Sequence, residues 1–311
     1  MKKLIVAAAV LGVSSVYAAQ ELKFGDVNYF LKEGQFNLSA DLSSTYYKET
    51  IENSDTLQTH GYLFETHYGY GVNDQLNIYL GLDYAYDREV QNKTTASDSD
   101  YSQDGLGNPI LGANYRLMSQ TDSLFNFDLG VVGKFSVQDA EIGDADGQEA
   151  NNGNFSSGRN SYEVNARMGS RWDIANEWQL AVGAVQYTSG EETILATSGD
   201  VDVEIESSMD FYLKATYQYR PVNEFMMALT AQATQVGEVS GDVGTSEVED
   251  DAHLDMDFVF RAKYLITDSF IANFHYGMSR NANYERDTDG VMNEIKKRRE
   301  NFYGMGVDFL F

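Results

Sequence analysis

The amino-acid sequence predicts an all-β protein: a transmembrane, antiparallel, up-and-down β-barrel of about twelve strands. Three observations support this prediction. Apolar and polar residues alternate with a period of two along most of the chain. The connections between the alternating segments are short and long in turn. Aromatic residues gather near both ends of the apolar stripes, where a bilayer meets water.

The N-terminus has the composition of an export signal. Two lysines precede an apolar run from Leu4 to Val13, and Val16-Tyr17-Ala18 follows with the small residues of a cleavage site. The apolar run is too short to cross a bilayer as a helix. We therefore predict a signal peptide over residues 1–18 and a single barrel domain over residues 19–311.

Composition narrows the function classes. The chain carries 22 basic and 48 acidic residues, and its formal net charge is −26. Nucleic acid is excluded as a partner, because phosphate binding needs a basic surface. No cysteine is present, so the chain can form neither a disulfide framework nor a thiol-ligated metal site. Abundant tyrosine (21) and phenylalanine (17), with only 2 prolines, favour strands.

Period-two alternation defines the strand segments. In the third segment, for example, Leu76, Ile78 and Leu80 lie on one face, and Asn77 lies on the other. Such alternation is typical of a strand with one apolar and one polar side. The predicted segments are 35–50, 59–72, 75–89, 105–118, 124–138, 160–174, 178–189, 207–220, 225–237, 253–267, 269–282 and 299–311.

The connections between these segments alternate in length. Five are tight, such as Asn73-Asp74 and Thr267-Asp268. Short turns at a periplasmic rim and long loops at an extracellular rim are the layout of an outer-membrane barrel. A soluble sandwich also alternates, but its dry core could not hold the charges of the polar face. The six long connections are acidic and cover residues 51–58, 90–104, 139–159, 190–206, 238–252 and 283–298.

The last segment predicts how the barrel closes. Its outer face carries Tyr303, Met305, Val307, Phe309 and Phe311, and we expect it to pair with the first strand. This pattern resembles the C-terminal signature of Gram-negative outer-membrane barrels. The resemblance implies an outer-membrane location and recognition of Tyr303, Val307, Phe309 and Phe311 by the barrel-insertion machinery.

A second resemblance is local. The stretch Gly105-Leu106-Gly107-Asn108-Pro109-Ile110-Leu111-Gly112-Ala113-Asn114-Tyr115-Arg116-Leu117 is similar to a strand of the outer-membrane family linked to meta-pathway phenol degradation. That family often has Asp where this chain has Asn108. The resemblance implies transport of small, often aromatic solutes.

If the apolar face contacts lipid, the alternate residues line the interior. The lumen-lining candidates are Asp83, Asp128, Glu163, Arg167, Arg171, Asp210, Lys214, Asp257, Arg261 and Lys263. The same parity places Asp173 inward. Two functions fit this face: a porin-like channel for passive diffusion of small solutes, or a structural or surface-interaction barrel with a salt-bridged, closed lumen. Barrels widen with strand number, and we predict a narrow channel.

Catalysis is less favoured. A lipid- or peptide-cleaving barrel would depend on His67 or His275, which face inward by parity. Neither histidine has a Ser or Asp at a distinctive spacing in the sequence, as a nucleophile with its base would require. We therefore predict that the protein is not an enzyme and binds no cofactor.

The long connections suggest partners at the cell surface. Asp144–Gly147 and Asp287–Gly290 echo the core of a calcium loop, but the second has Lys296 where the bidentate glutamate belongs. Solvated loops are the favoured interpretation, and binding of divalent cations is the alternative. The basic run 296–299 is expected at the outer rim, where it could contact lipopolysaccharide phosphates or pair with acidic loops.

Overall fold

The structure is a computed structural model that describes residues 22–51, 56–93, 98–121, 123–137, 140–144, 153–154, 157–194 and 201–311. The predicted signal peptide, residues 1–18, lies outside the described residues. Within the described ranges, no helix is long and apolar enough to cross a membrane.

Most of the described residues lie in β-segments. Their twenty segments are β1 (Phe36–Ile51), β2 (Thr56–Asn73), β3 (Leu76–Lys93), β4 (Asp98–Leu106), β5 (Ile110–Met118), β6 (Asn126–Lys134), β7 (Ala140–Asp144), β8 (Gly153–Asn154), β9 (Ser161–Arg171), β10 (Asn176–Tyr187), β11 (Gly190–Ile194), β12 (Val201–Ile205), β13 (Ser208–Val222), β14 (Phe225–Val236), β15 (Val239–Val243), β16 (Ser246–Asp250), β17 (His253–Thr267), β18 (Phe270–Asn281), β19 (Tyr284–Thr288) and β20 (Val291–Leu310).

These segments build a closed wall of twelve strands that pair antiparallel, except that β7 and β11 pair in parallel over three residues where β9 does not extend between them. Five wall strands are single segments: β1, β2, β3, β9 and β20. The other seven are pairs of consecutive segments: β4 with β5, β6 with β7, β10 with β11, β12 with β13, β14 with β15, β16 with β17, and β18 with β19. The segment β8 lies outside the wall and pairs in parallel with β4.

The first and last strands close the barrel, as the sequence predicts. The pairing of β1 with β20 runs from Asn37 opposite Leu310 to Ile51 opposite Ile295. Beyond β20, the backbone of Phe311 exchanges two hydrogen bonds with Phe36. Closure leaves no unpaired edge among the wall strands, which is what a sheet needs inside hydrocarbon.

The apolar faces point outward. Leu80, Val131 and Leu213 are exposed, although they lie in the middle of long strands. The aromatic residues at both ends of the apolar stripes are exposed as well, among them Tyr70 and Tyr46. A soluble protein would bury such residues, so the exposed band identifies the surface that contacts lipid.

One predicted strand is too long. The segment 160–174 was expected to carry Asp173 on its inward face, but β9 ends at Arg171. The Asp173 carboxylate accepts backbone hydrogen bonds from Ala175 and Asn176 (both 2.8 Å). Asp173 is therefore a turn residue and not a lumen residue, because its short side chain bonds the backbone that follows it.

The long connections contain β-segments that the sequence did not predict, and three of these connections illustrate this. Residues 238–252 fold back as the β15–β16 hairpin, whose turn begins at Gly244 with a φ of +62°. The strand β20 begins at Val291, well before residue 299. In the connection 190–206, β11 pairs with β12. The segments β11, β12, β15 and β16 have five residues each, so alternation such as that of Val201, Val203 and Ile205 with acids in β12 does not distinguish them from an acidic loop.

Candidate functional site

The ten lumen-lining candidates lie on the inward face of the wall. Each is adjacent in sequence to an outward-facing residue of the same strand. Glu163, for example, lies between Tyr162 and Val164, whose side chains are exposed. Their role in contacting a solute remains a prediction. They divide into two groups at different depths, one in the middle of the barrel and one near the short turns.

Three wall strands carry an acid four residues before a base. These strands run from the extracellular end toward the short turns, so each acid lies above its base by about 13 Å along the strand. Within each of these strands the carboxylate therefore lies nearer the extracellular end and the cationic group lies nearer the short turns; this part of the lumen is called the middle layer. The three pairs are Glu163 with Arg167, Asp210 with Lys214, and Asp257 with Arg261.

The first three wall strands carry only acids at the corresponding positions. Asp41 of β1 lies opposite Glu65 of β2, and Glu65 lies opposite Asp83 of β3. Glu65 is within electrostatic range of Lys134 and Arg261. An acidic wall therefore faces basic residues across the lumen.

The basic residues of this middle layer are not neutralised. Among the residues that the structure describes, Arg167, Lys214 and Arg261 form no ion pair within 4.0 Å and are only partly buried. A cavity of about 340 Å³ lies beside Lys214, and its lining also includes Tyr212 and the acids Glu163, Asp210 and Asp257. Charged groups without partners are stable only in contact with water, so we expect this part of the lumen to be hydrated.

The end of the barrel with the short turns is filled by a segment that the sequence did not predict. Residues 22–35, here called the N-terminal plug, precede β1 and lie inside the wall. The side chain of Asp26 is 0% exposed and forms ion pairs with both Arg171 and Arg220. Arg171 also donates to Glu177 through Nε (2.7 Å).

Further bonds hold the plug against several strands. The Nζ atom of Lys263 donates to the carbonyl of Gly25 (3.0 Å). The guanidinium of Arg116 donates to the carbonyl of Asn28 (3.0 Å) and lies 4.4 Å from the ring centre of Phe30. Its Nε donates to Asp128 (2.8 Å). Among the lumen candidates, Arg171 and Lys263 hold the plug directly, and Asp128 acts through Arg116.

Inward residues at the plug are buried, unlike those of the middle layer. Gln218 is 2% exposed, and Met226 and Ile271 are 0% exposed. Charged and polar groups here are paired with plug atoms, as buried polar groups have to be. The lumen is thus packed with side chains at the end with the short turns.

One histidine has partners that sequence spacing could not reveal. The Nε2 atom of His275 lies 2.9 Å from Ser43 Oγ, and its Nδ1 atom lies 3.6 Å from Asp41 Oδ1. The contact spans β1 and β18, and β20 passes between them with Gly304, where a side chain would collide with the His275 ring. Only barrel closure brings these residues together.

This arrangement does not form a working hydrolytic site. Ser43 is 4% exposed and His275 is 3% exposed, so a substrate cannot reach the hydroxyl. The backbone beside Ser43 is paired on both sides, with Leu63 and Gly304, and offers no amides for an oxyanion. His67 lies inward on β2 and has no such partners in the described residues.

The acidic cluster of residues 247–255 is partly paired by basic side chains. Arg286 donates two hydrogen bonds to Asp250 (2.5 and 2.8 Å), and these bonds raise the pKa of the Arg286 guanidinium. The ring of His253 stacks on Tyr284 with centres 4.2 Å apart and lies 3.4 Å from Asp255. These contacts tie neighbouring extracellular hairpins together.

The second calcium-like motif is a hairpin turn. Thr288 pairs with Val291, and the two residues between them, Asp289 and Gly290, have φ angles of +52° and +82°. This is the Asp-Gly turn that suits the twist of two antiparallel strands. The carboxylate of Asp287 accepts a hydrogen bond from the backbone amide of Gly290 (2.6 Å). The first motif, residues 144–147, lies largely outside the described residues.

Comparison with known proteins supports the fold. No family model and no curated protein sequence matches the chain. Among solved structures, the COG4313 outer membrane channel from Pseudomonas putida F1 is similar, with a TM-score of 0.56 and 13% identity, over 94% of this chain and 100% of that chain. The NanC porin has a TM-score of 0.47 and 12% identity, over 87% and 98%. At these identities the likeness concerns the fold, which is that of an outer-membrane β-barrel.

Proposed function

We propose that the protein is an outer-membrane channel of a Gram-negative bacterium through which small polar solutes diffuse passively. The observation that carries this proposal is the middle layer of the lumen, where Lys214 lines a polar cavity and where Arg167, Lys214 and Arg261 have no ion-pair partner within 4.0 Å among the described residues. A barrel whose interior served only as a scaffold would neutralise or replace these charges.

The charge arrangement suggests how a solute would pass. Acids on β1 to β3 and bases such as Lys214 on the opposite wall create a field across the lumen, which orients dipolar molecules. The wall carries both signs of charge at similar density, so net charge contributes little to selection. We therefore expect passage of zwitterions and neutral polar molecules, limited by size.

The plug has to yield for solutes to enter the periplasm. Its bonds to Arg171, Arg220 and Lys263 hold it across the periplasmic end, where inward side chains are buried. In the proposed mechanism the plug shifts while the wall stays closed, because the ladder between β1 and β20 does not depend on residues 22–35.

Conductance across planar bilayers tests the channel proposal. Replacing Arg167 and Arg261 by Ala should widen the middle of the lumen and raise the size of the current steps. The control is Lys296→Ala, which removes a base near Glu294 and leaves the lumen unchanged. Absence of current steps, both from the full chain and from a variant without residues 22–35, would refute the channel.

A sealed structural barrel is the second candidate, and the plug is the observation that favours it. The two candidates differ when the plug is released. A channel should then swell liposomes in solutions of sugars, amino acids and aromatic acids, up to a size limit. A structural barrel should lose stability and remain impermeable. That the protein has neither catalytic activity nor a cofactor stays a prediction in both cases.

A further inference from the structure

The basic run 296–299 does not form one patch, because a strand sends alternate side chains to opposite faces. Arg298 points into the barrel, where its guanidinium lies 5.3 Å from the ring centre of Tyr47. Lys296 pairs with Glu294 (2.9 Å). Arg299 is exposed, and it lies four residues from the outward Tyr303 and therefore on the lipid-facing surface.

Barrel closure gives Arg299 two basic neighbours. In the pairing of β1 with β20, Arg299 lies directly opposite Lys48. In the pairing of β18 with β20, it lies directly opposite Arg280. The outward residues Tyr46 and Tyr276 on the same strands show that all three cationic side chains share the outer face. We call Lys48, Arg280 and Arg299 the basic row.

The basic row has no counter-charge of its own. Directly opposed residues on neighbouring strands have Cβ atoms about 5 Å apart, and like charges in such positions repel. The row is flanked by Gln58, opposite Lys48, and by Met256, opposite Arg280. Within the described residues, none of the three cationic groups forms an ion pair within 4.0 Å.

The row lies at the outer boundary of the hydrocarbon. Phe309 marks the inner aromatic belt, stacked on Phe270 with ring centres 4.5 Å apart. Arg299 precedes Phe309 by ten residues, or about 33 Å of strand. A strand tilted by about 40° converts this length to roughly 25 Å of height, which is the thickness of the apolar band of such barrels.

We propose that the basic row binds a phosphate group of an outer-leaflet glycolipid, that is, a lipopolysaccharide phosphate. Guanidinium groups suit phosphate because they present two parallel donors, and two of the three members of the row are arginines. A phosphate at this depth would remove the repulsion within the row. The row faces lipid and not the aqueous mouth, which favours a lipid phosphate over free phosphate.

Binding to the purified full chain tests this proposal. The probes are lipopolysaccharide, the same lipid after enzymatic removal of its phosphates, and inorganic phosphate. We expect the intact lipid to raise the thermal unfolding temperature of the detergent-solubilised protein and the other two probes to have little effect. Each removed cation should weaken binding about fivefold, and removal of all three on the order of a hundredfold.

The variants are Lys48→Gln, Arg280→Gln and Arg299→Gln, singly and together, with Lys296→Gln as the matched control. Lys296 is also basic and on β20, but it is already paired with Glu294. The triple variant should be at least as stable as the original protein in detergent without lipid, because it lacks the repulsion. Equal binding by the triple variant, or equal binding of the dephosphorylated lipid, would overturn the proposal. Saturation by inorganic phosphate alone would show a free-anion site instead.

Discussion

At the residue scale, the central group is Asp26. Its carboxylate is enclosed by the wall and receives two guanidinium groups from different strands, Arg171 and Arg220. Removing one partner of a buried ion pair costs about 3–5 kcal/mol, because the remaining charges keep their desolvation penalty. Loss of the Asp26 charge should therefore remove a large part of the free energy that holds residues 22–35 in the barrel.

We predict that Asp26→Asn releases the plug. The amide keeps the shape of the side chain but removes the charge that the two arginines share. Current steps across planar bilayers should become larger, and trypsin should cleave after Lys23 and Lys32 sooner. Glu33→Gln is the control, since Glu33 lies in the same segment, is exposed and has no ion pair among the described residues. Unchanged cleavage and conductance in Asp26→Asn would show that the Asp26 carboxylate does not hold the plug in place.

The contact of His275 with Ser43 and Asp41 shows a limit of reasoning from spacing. The serine and the histidine are 232 positions apart, and the register of two ladders decides that they meet. Period-two parity places each of them on the inward face, but it does not specify the position of a residue along the barrel axis relative to residues on other strands. Strand register was thus the missing information.

At the element scale, the β15–β16 hairpin contains a pair of acids that oppose each other. The negative charge of Glu238, which directly precedes β15, raises the pKa of Glu249 on β16. A raised pKa means that the ionised carboxylate destabilises the folded hairpin. This cost is present at neutral pH and disappears as the pH falls through the raised pKa.

We predict that the hairpin becomes better protected at mildly acidic pH. Amide hydrogen exchange of residues 239–250, corrected for intrinsic rates, should be slower at about pH 5 than at neutral pH. Glu238→Gln should slow exchange at neutral pH and remove the pH dependence. The pair of Glu294 with Lys296 serves as a reference, because Lys296 lowers the pKa of Glu294 and that stabilisation survives until more acidic pH. Faster exchange on acidification would contradict the prediction.

Phe311, which directly follows β20, allows the requirement for membrane insertion to be tested separately from the stability of the folded barrel. The side chain of Phe311 is 71% exposed, while its backbone is bonded to Phe36. Phe311→Ala should therefore leave the unfolding temperature of the finished barrel almost unchanged and reduce the rate of insertion into the outer membrane. Met305→Ala is the control, since Met305 is equally exposed on the same strand. Normal insertion of Phe311→Ala in cells would refute the predicted signal.

At the scale of the whole molecule, the decisive property is which face meets lipid. Nitroxide labels at Leu80, Val131 and Phe260 should be accessible to oxygen dissolved in the bilayer. Labels at Asp83 and Arg167 should be accessible to a water-soluble nickel chelate, because we expect the middle of the lumen to be hydrated. The reverse pattern of accessibility would show that the polar face contacts lipid, and every assignment of a residue to the lumen would then be wrong.

The wall of the barrel could be predicted from the sequence because a membrane strand must be apolar on one face along its whole length. The segments containing Leu80 and Val131 were therefore recognised. The plug was missed since residues 22–35 follow no period and gain their order from contacts with Arg116, Arg171 and Arg220. The extracellular hairpins were missed for a different reason, because segments of five residues such as β12 and β15 are too short for alternation to distinguish them from acidic loops.

Pairing of β1 with β20 has a consequence for biogenesis. The first strand cannot acquire its second neighbour until the last residues of the chain have been synthesised and exported. Until then the incomplete sheet has two unpaired edge strands, and each can form backbone hydrogen bonds with another copy of the chain. Periplasmic chaperones have to shield both edge strands for the entire journey, and aggregation should rise sharply in cells that lack them.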